Sequence, residues 1–263
     1  MSETTNEGRV LHRRDDHVLS IIIDRPAKRN GFTPKMLREL AEAYSELERD
    51  PLARVGVLRA EGEHFTAGLD LPSLAPFMAR GEDPIPHHLV DPFGTRAPYR
   101  TKPMVVAVRG ICFTLGIELM LAADLVIAAG DCRFAQVEVK RGIMPTGGAT
   151  IRMVERAGWG NAMRYLLTGD EFDAPTALRL GFVQEVVKPW HELRRALELA
   201  ERIAVQAPLA VRATLTNAKL ALTDTAAAID EFVPVQKRLL ASADAAEGVK
   251  SFQEKRAARF TGN

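Results

Sequence analysis

The sequence predicts an α/β core followed by a helical region. Up to about residue 190, short apolar, β-branched runs alternate with helix signals. From Glu192 onward only helical patterns remain: ELRRALELAERIAVQ, PLAVRATLTNAKLAL, AAAIDEFVPVQKRLL and AAEGVKSFQEKRAARF. The 263 residues, 46% of them hydrophobic, suffice for one sizeable core. We therefore expect one large α/β unit over 1–191 and a helical appendage over 192–263.

The elements follow in order. Val18–Asp24 (VLSIIID) is apolar and β-branched, a strand ended by Arg25-Pro26. The turn-rich RPAKRNGFTP leads to a helix with Thr33 as N-cap and Pro34 at its first position, running to about Arg49 before Asp50-Pro51. Val55–Arg59 (VGVLR) reads as a strand, and GEHFTAGLDLPS as a glycine turn into a short helix that Asp70 caps. Residues 80–103 are proline-rich and irregular. Met104–Val108 is a buried strand, Gly116–Ala123 a buried helical segment and Leu125–Ala129 another strand; PTGGAT opens a helix near 146. Phe65–Leu71 (FTAGLDL) and Phe113–Leu119 (FTLGIEL) echo each other, each after a strand and before a helix, which suits a repeated strand–turn–helix unit.

Composition narrows the function. With 35 basic and 34 acidic side chains the net charge is +1, which gives no broad nucleic-acid footprint. Cys112 and Cys132 make neither a disulfide framework nor a metal-ligand spacing, so a reduced, cytoplasmic setting is expected. The polar N-terminus lacks the apolar run of a signal peptide. Apolar stretches fall short of the ~18 residues that span a bilayer. The His87-His88 pair has no matching ligand spacing, and no GxGxxG turn joins a strand to a helix. We expect neither metal nor nicotinamide.

Three features carry chemistry. The turn at Leu115-Gly116 opens a helix whose free N–H groups suit a developing negative charge on oxygen, and the AGLD turn offers a second backbone donor. Taken alone, both read equally as ordinary glycine turns. Glu118 is the one polar side chain among Leu115, Ile117, Leu119, Met120, Leu121, Ala122 and Ala123. A buried carboxylate is unfavourable unless paired or protonated, so Glu118 is either functional or a buried ion-pair partner. Glu138, in FAQVEVKRGIMP, reads with Lys140 and Arg141 as a solvated edge.

Several segments together resemble the enoyl-CoA hydratase/isomerase (crotonase) superfamily: RPAKRNGFTPKML, HFTAGLDL, GICFTLGIELMLAADLVIAA, FAQVEVKRGIMPTGGAT, TGDEFDAPTALRLGFVQEVV and SFQEKRAARF. Their order and spacing span nearly the whole chain. The resemblance implies a spiral of ββα units with a C-terminal helical region that builds trimers, often paired into hexamers. It implies an oxyanion hole from the backbone N–H groups of Leu69 and Leu115. It makes Glu118 and Glu138, 20 residues apart, the catalytic pair. Retention of both points to hydration of a 2-enoyl-CoA rather than isomerisation. The alternatives are an isomerase, a dehydratase acting on a 3-hydroxyacyl-CoA, or a non-catalytic binding protein of the same fold. Ala67, Leu69, Asp70 and Leu115 would line the substrate site. Lys28, Phe252 and Lys255 would reach coenzyme A, which enters as part of the substrate; no further cofactor is implied. Two departures stand out: Thr114-Leu115-Gly116 replaces a run of glycines, and Asn30-Gly31 the commoner Asn-Ala. Both bear on acyl selectivity. The pocket wall is expected to include the irregular 72–103 region, with Phe77, Met78, Leu89 and Phe93 available.

Overall fold

The structure, a computed structural model, describes residues 7–263; residues 1–6 and the Met78 side chain lie outside the described set. A hairpin opens the fold. β1 (Arg9–Asp15) pairs antiparallel with β2 (Val18–Asp24), and β2 continues in parallel to β3 (Val55–Ala60). β4 (Met104–Val108), β6 (Leu125–Ala129) and β9 (Glu185–Val187) complete a six-stranded sheet in the order β1-β2-β3-β4-β6-β9. A second sheet, β5-β7-β8, holds β5 (Ile111–Phe113), β7 (Arg133–Ala135) and β8 (Phe172–Asp173).

Alternation along the strands sends side chains to two faces. Leu19, Ile21 and Ile23 of β2, with Leu58 of β3, face α1 (Pro34–Arg49), whose Met36, Leu37 and Leu40 are buried beside them. Thr33 caps α1 as expected, its Oγ1 accepting from Met36 N–H at 3.3 Å. Val55, Val57, Val105 and Ile127 point the other way, under α7 (Glu192–Ala204). Ala196, Ala200 and Ala204 recur every fourth residue, so small side chains let that helix lie close on the sheet. The first helix of the C-terminal series thus covers a sheet face. After it come α8 (Pro208–Ala221), α9 (Thr225–Asp230), α10 (Phe232–Leu240) and α11 (Ala243–Gln253).

The echoing turns lie side by side. Thr66 N–H donates to Ile111 O at 3.0 Å, and Phe113 N–H donates to Thr66 O at 3.0 Å. From them run α2 (Leu71–Arg80) and α3 (Leu115–Ala122). Five strands escape the sequence reading: β1, β5, β7, β8 and β9. β1 lies at the sheet edge with six of its seven residues exposed, so it shows no apolar alternation. The other four have two or three residues each, too few for any period. α4 (Ala149–Ala157) starts three residues beyond the expected 146, because Gly147 and Gly148 form the turn into it. α5 (Trp159–Thr168) and α6 (Ala174–Arg179) follow.

Candidate active site

A cavity of about 930 Å³ opens between the two echoing turns and the segment 137–146, with Leu69, Leu115, Glu118 and Glu138 on its wall. The two glutamates and two backbone positions singled out from the sequence therefore meet at one place.

Glu118 enters from α3. Residues 115–121 of that helix are all buried, so its carboxylate is held inside the protein. Among the described residues it has no cationic partner within salt-bridge distance. Instead Oε1 accepts from Gly147 N–H at 2.7 Å and from Ala149 N–H at 3.3 Å, the free donors where the glycine turn becomes α4. Burial raises its pKa above the ordinary carboxylate range, opposed by those two N–H groups and by the nearby charge of Arg152. Arg152 also ties the turn down, donating to Gly147 O at 3.1 Å.

Glu138 begins a single 3-10 turn, Glu138–Arg141, just after β7. It is 9% exposed, and its Oε2 is buried without a hydrogen-bond partner among the described residues. Such an oxygen is uncommon in folded proteins and wants a proton or a ligand. Burial, reinforced by the negative charge of Glu118, pushes the Glu138 pKa up to about 7. The pair is thus asymmetric: one carboxylate is fixed by backbone donors, the other is poised to hold a proton near neutrality.

The backbone donors come from the turns. Hydrogen bonds of Phe32 N–H to Gly68 O and of Asp70 N–H to Phe32 O, both 2.9 Å, fix the strand-like stretch around Leu69. Among the described residues neither Leu69 N–H nor Leu115 N–H has an acceptor within the chain, and both residues line the cavity. Leu115 is the first residue of α3, so its N–H carries the helix's positive end. Its side chain is buried in the core, which answers how a leucine fits where glycine is usual. Thr114, just before it, has φ 49° and ψ −116°, a conformation that favours glycine. Strain of this kind costs about 1–3 kcal/mol and clusters at functional sites.

Other expected contacts are more dispersed. Ala67 lines the cavity. Asp70 does not cap α2 with its side chain: its Oδ2 accepts from Arg25 Nη1 at 2.8 Å, and its backbone carbonyl receives the Ser73 and Leu74 N–H groups. The ion pair prevails because Arg25 is itself buried and needs a counter-charge. Lys28 is exposed at the end of the 3-10 turn Pro26–Lys28 and does not line the cavity; the next carbonyl, of Arg29, receives the N–H of the cavity-lining Ala67 at 2.9 Å. Phe252 is 84% exposed at the end of α11, and neither it nor Lys255 lines the cavity.

Residues 72–103, expected in the wall, do not line the cavity; Val137, Glu138 and residues 140–146 do, together with Leu71. Leu89 goes into the core and Phe93 packs partly buried against it. Lys140 and Arg141, read from sequence as a solvated edge, do line the cavity while remaining exposed. The sequence reading missed Gly147 and Ala149, whose role is carried by backbone N–H groups. The only signal was a glycine pair at a helix start.

The enoyl-CoA hydratase/isomerase family model matches residues 13–263. A crystal structure of a probable enoyl-CoA hydratase/isomerase from Mycobacterium abscessus superposes with a TM-score of 0.93 at 48% identity, covering 97% of this chain and 98% of that one. The enoyl-CoA hydratase EchA19 of Mycobacterium tuberculosis is 32% identical over 95% of each chain. The carnitinyl-CoA dehydratase of Proteus mirabilis is 35% identical over 93% of this chain and 95% of its own. Fold, site and relatives agree: the chain is a crotonase-fold protein and belongs to the enoyl-CoA hydratase/isomerase family.

Proposed function

We propose that the protein adds water reversibly across the double bond of a 2-enoyl-CoA thioester, giving the 3-hydroxyacyl-CoA. The observation that carries this is the meeting of two buried carboxylates, Glu118 and Glu138, with the unpartnered N–H groups of Leu69 and Leu115 on one cavity wall. The thioester oxygen would accept both N–H groups and hold the enolate charge that develops on it. Glu118, oriented by Gly147 and Ala149, would take a proton from water as the water oxygen bonds to Cβ. Glu138 would give its proton to Cα, and transfer within the pair restores the starting state. Dehydration is the same path reversed, which fits hydratases and a dehydratase among the relatives.

The test is a panel of enoyl-CoA thioesters, with loss of enoyl absorbance as readout. No turnover of any member would remove the proposal. A pH profile sharpens it. Glu138 must carry a proton, and its pKa lies near 7, so kcat for hydration should fall as pH rises through that value. Glu118 must be ionised, so kcat should also fall on acidification. A rate that stays flat or rises between pH 6 and 9 would contradict the assignment of Glu138 as acid.

We also place the protein in the cytoplasm, with coenzyme A arriving on the substrate and no metal or other cofactor. No helix among the described residues is long and apolar enough to cross a membrane. Lys28 and Lys255 would offer charge to the coenzyme A phosphates, with Phe252 beside the nucleotide. Because Phe252 and Lys255 stand away from the cavity, they would act on a neighbouring subunit's substrate. A trimer, or a dimer of trimers, fits the apolar surface of the C-terminal helices. Leu222, Ile229, Phe232, Val233, Leu240 and Val249 are each more than half exposed. Light scattering should return three or six chains per particle; a monomer at micromolar concentration would contradict this arrangement.

A further inference from the structure

Thr114 carries an unusual set of features. A β-branched residue sits at φ 49° and ψ −116°, where glycine is the relaxed choice. Its Oγ1 is buried without a hydrogen-bond partner among the described residues. That oxygen is packed against the neighbouring turn: a Cβ placed on Gly68 would come within 2.1 Å of it. Gly68 and Thr114 are the residues immediately before Leu69 and Leu115, so the contact lies between the two candidate oxyanion donors. Thr114 also lines the cavity. Its hydroxyl is turned away, its N–H donates to Ala135 O at 2.9 Å, and its carbonyl receives the Ile117 and Glu118 N–H groups. With every polar atom directed inward, the surface it offers the cavity is carbon.

The position of that carbon surface decides what it does. By standard backbone geometry a Cβ lies roughly 3 Å from the next residue's nitrogen. A thioester oxygen bound to Leu115 N–H sits about 2.9 Å from that same nitrogen. Beyond the carbonyl group itself, the substrate atoms nearest to Thr114 are the two groups on the carbonyl carbon, sulfur and Cα. Sulfur is common to every acyl-CoA, so a side chain here discriminates only through the Cα side. We infer that Thr114 is a specificity-determining residue that excludes acyl groups branched at the carbon next to the thioester. The inference rests on the enoyl-thioester reading above. A buried hydroxyl without a partner and a strained backbone are both unfavourable, and the carbon wall beside the donors is what the residue supplies in their place.

The experiment compares 2-butenoyl-CoA with 2-methyl-2-butenoyl-CoA on the wild type and on variants at this position. The wild type should favour the unbranched thioester. Thr114→Gly removes the wall and relaxes the positive φ. It should raise kcat/KM for the branched relative to the unbranched thioester by about tenfold or more, the scale on which one carbon group discriminates. Its melting temperature should rise or hold. Thr114→Val keeps the shape and deletes the orphaned hydroxyl, so it should retain the wild-type preference. Thr114→Ala keeps only the Cβ and should shift the preference less, in the same direction as glycine; it carries the test if the glycine variant does not fold. A wild type equally active on both thioesters, or glycine and alanine variants with the wild-type ratio, overturns the inference. If the wild type turns over neither, the same comparison is made between the unbranched and 2-methyl forms of the panel thioester that it does hydrate; inactivity on the whole panel removes the hydratase reading, and the specificity role falls with it.

Discussion

Glu138→Gln is expected to lower kcat for enoyl-CoA hydration by roughly 10²–10⁴-fold, and Glu118→Gln by a similar factor. Glutamine keeps the size of each side chain and its carbonyl oxygen. The N–H groups of Gly147 and Ala149 retain an acceptor in the Glu118 variant, so the site should hold its shape. What each change removes is a group able to take up or release a proton. If the pair handles one reaction's proton traffic together, as proposed, the double variant should be little worse than the poorer single one. Binding of coenzyme A and the oligomeric state should persist, because the backbone donors and C-terminal helices are untouched. Near-normal turnover by Glu138→Gln would show the two-carboxylate mechanism to be wrong and leave a one-acid, isomerase-like reaction as the better reading.

Stability should move the other way. The Glu138 carboxyl releases its proton near 4.5 in the unfolded chain and near 7 in the folded one. Between those values the folded state holds the extra proton, so stability falls as pH rises through this window. Above it, the folded protein carries a buried negative charge beside that of Glu118. Glu138→Gln abolishes this dependence, and at pH 8 it should melt above the wild type, a gain obtained by dismantling catalysis.

The residues differ in how far the sequence disclosed them. Glu118 was conspicuous because its neighbours are apolar, and a lone acid in such a helix must be buried. Glu138 was not: VEVKR is polar, and only the family resemblance paired it with Glu118. What made it a site residue, burial beside Glu118 in a turn packed on α5, leaves no local trace. The buried strands β2, β3, β4 and β6 were legible from β-branched runs, while β5, β7 and β8 are defined by pairing between segments distant in sequence. Leu69 and Leu115 illustrate a further limit. The contribution proposed for them lies in N–H direction, which the backbone hydrogen bonds of the turns set and the side chains do not spell out. Asp70 was misread because capping is a local rule, whereas its partner Arg25 lies 45 residues away.

Gly147 shows what such a backbone position demands. Its N–H reaches Glu118 Oε1 at 2.7 Å. A Cβ added there would stand 2.6 Å from Oε2, 2.8 Å from Cδ of the same carboxylate and 2.9 Å from Phe93 Cδ1. All three approaches are closer than atoms tolerate, and the backbone does not require positive φ, so crowding is the sole objection to alanine. Phe93 packs against the core and yields little. The carboxylate must therefore turn away or the 147–149 segment must retreat, and either breaks the hydrogen bonds that orient Glu118. Gly147→Ala should lower kcat by roughly 10²-fold, the loss expected when a catalytic group is misplaced by about 1 Å. KM should change little, since Leu69, Leu115 and the residues proposed to meet coenzyme A lie elsewhere. Combining Gly147→Ala with Glu118→Gln separates misplacement from a general defect. If alanine acts only through the carboxylate, it should add almost nothing to the loss already caused by glutamine. Multiplying losses would mean that Gly147 serves the site by some route other than Glu118.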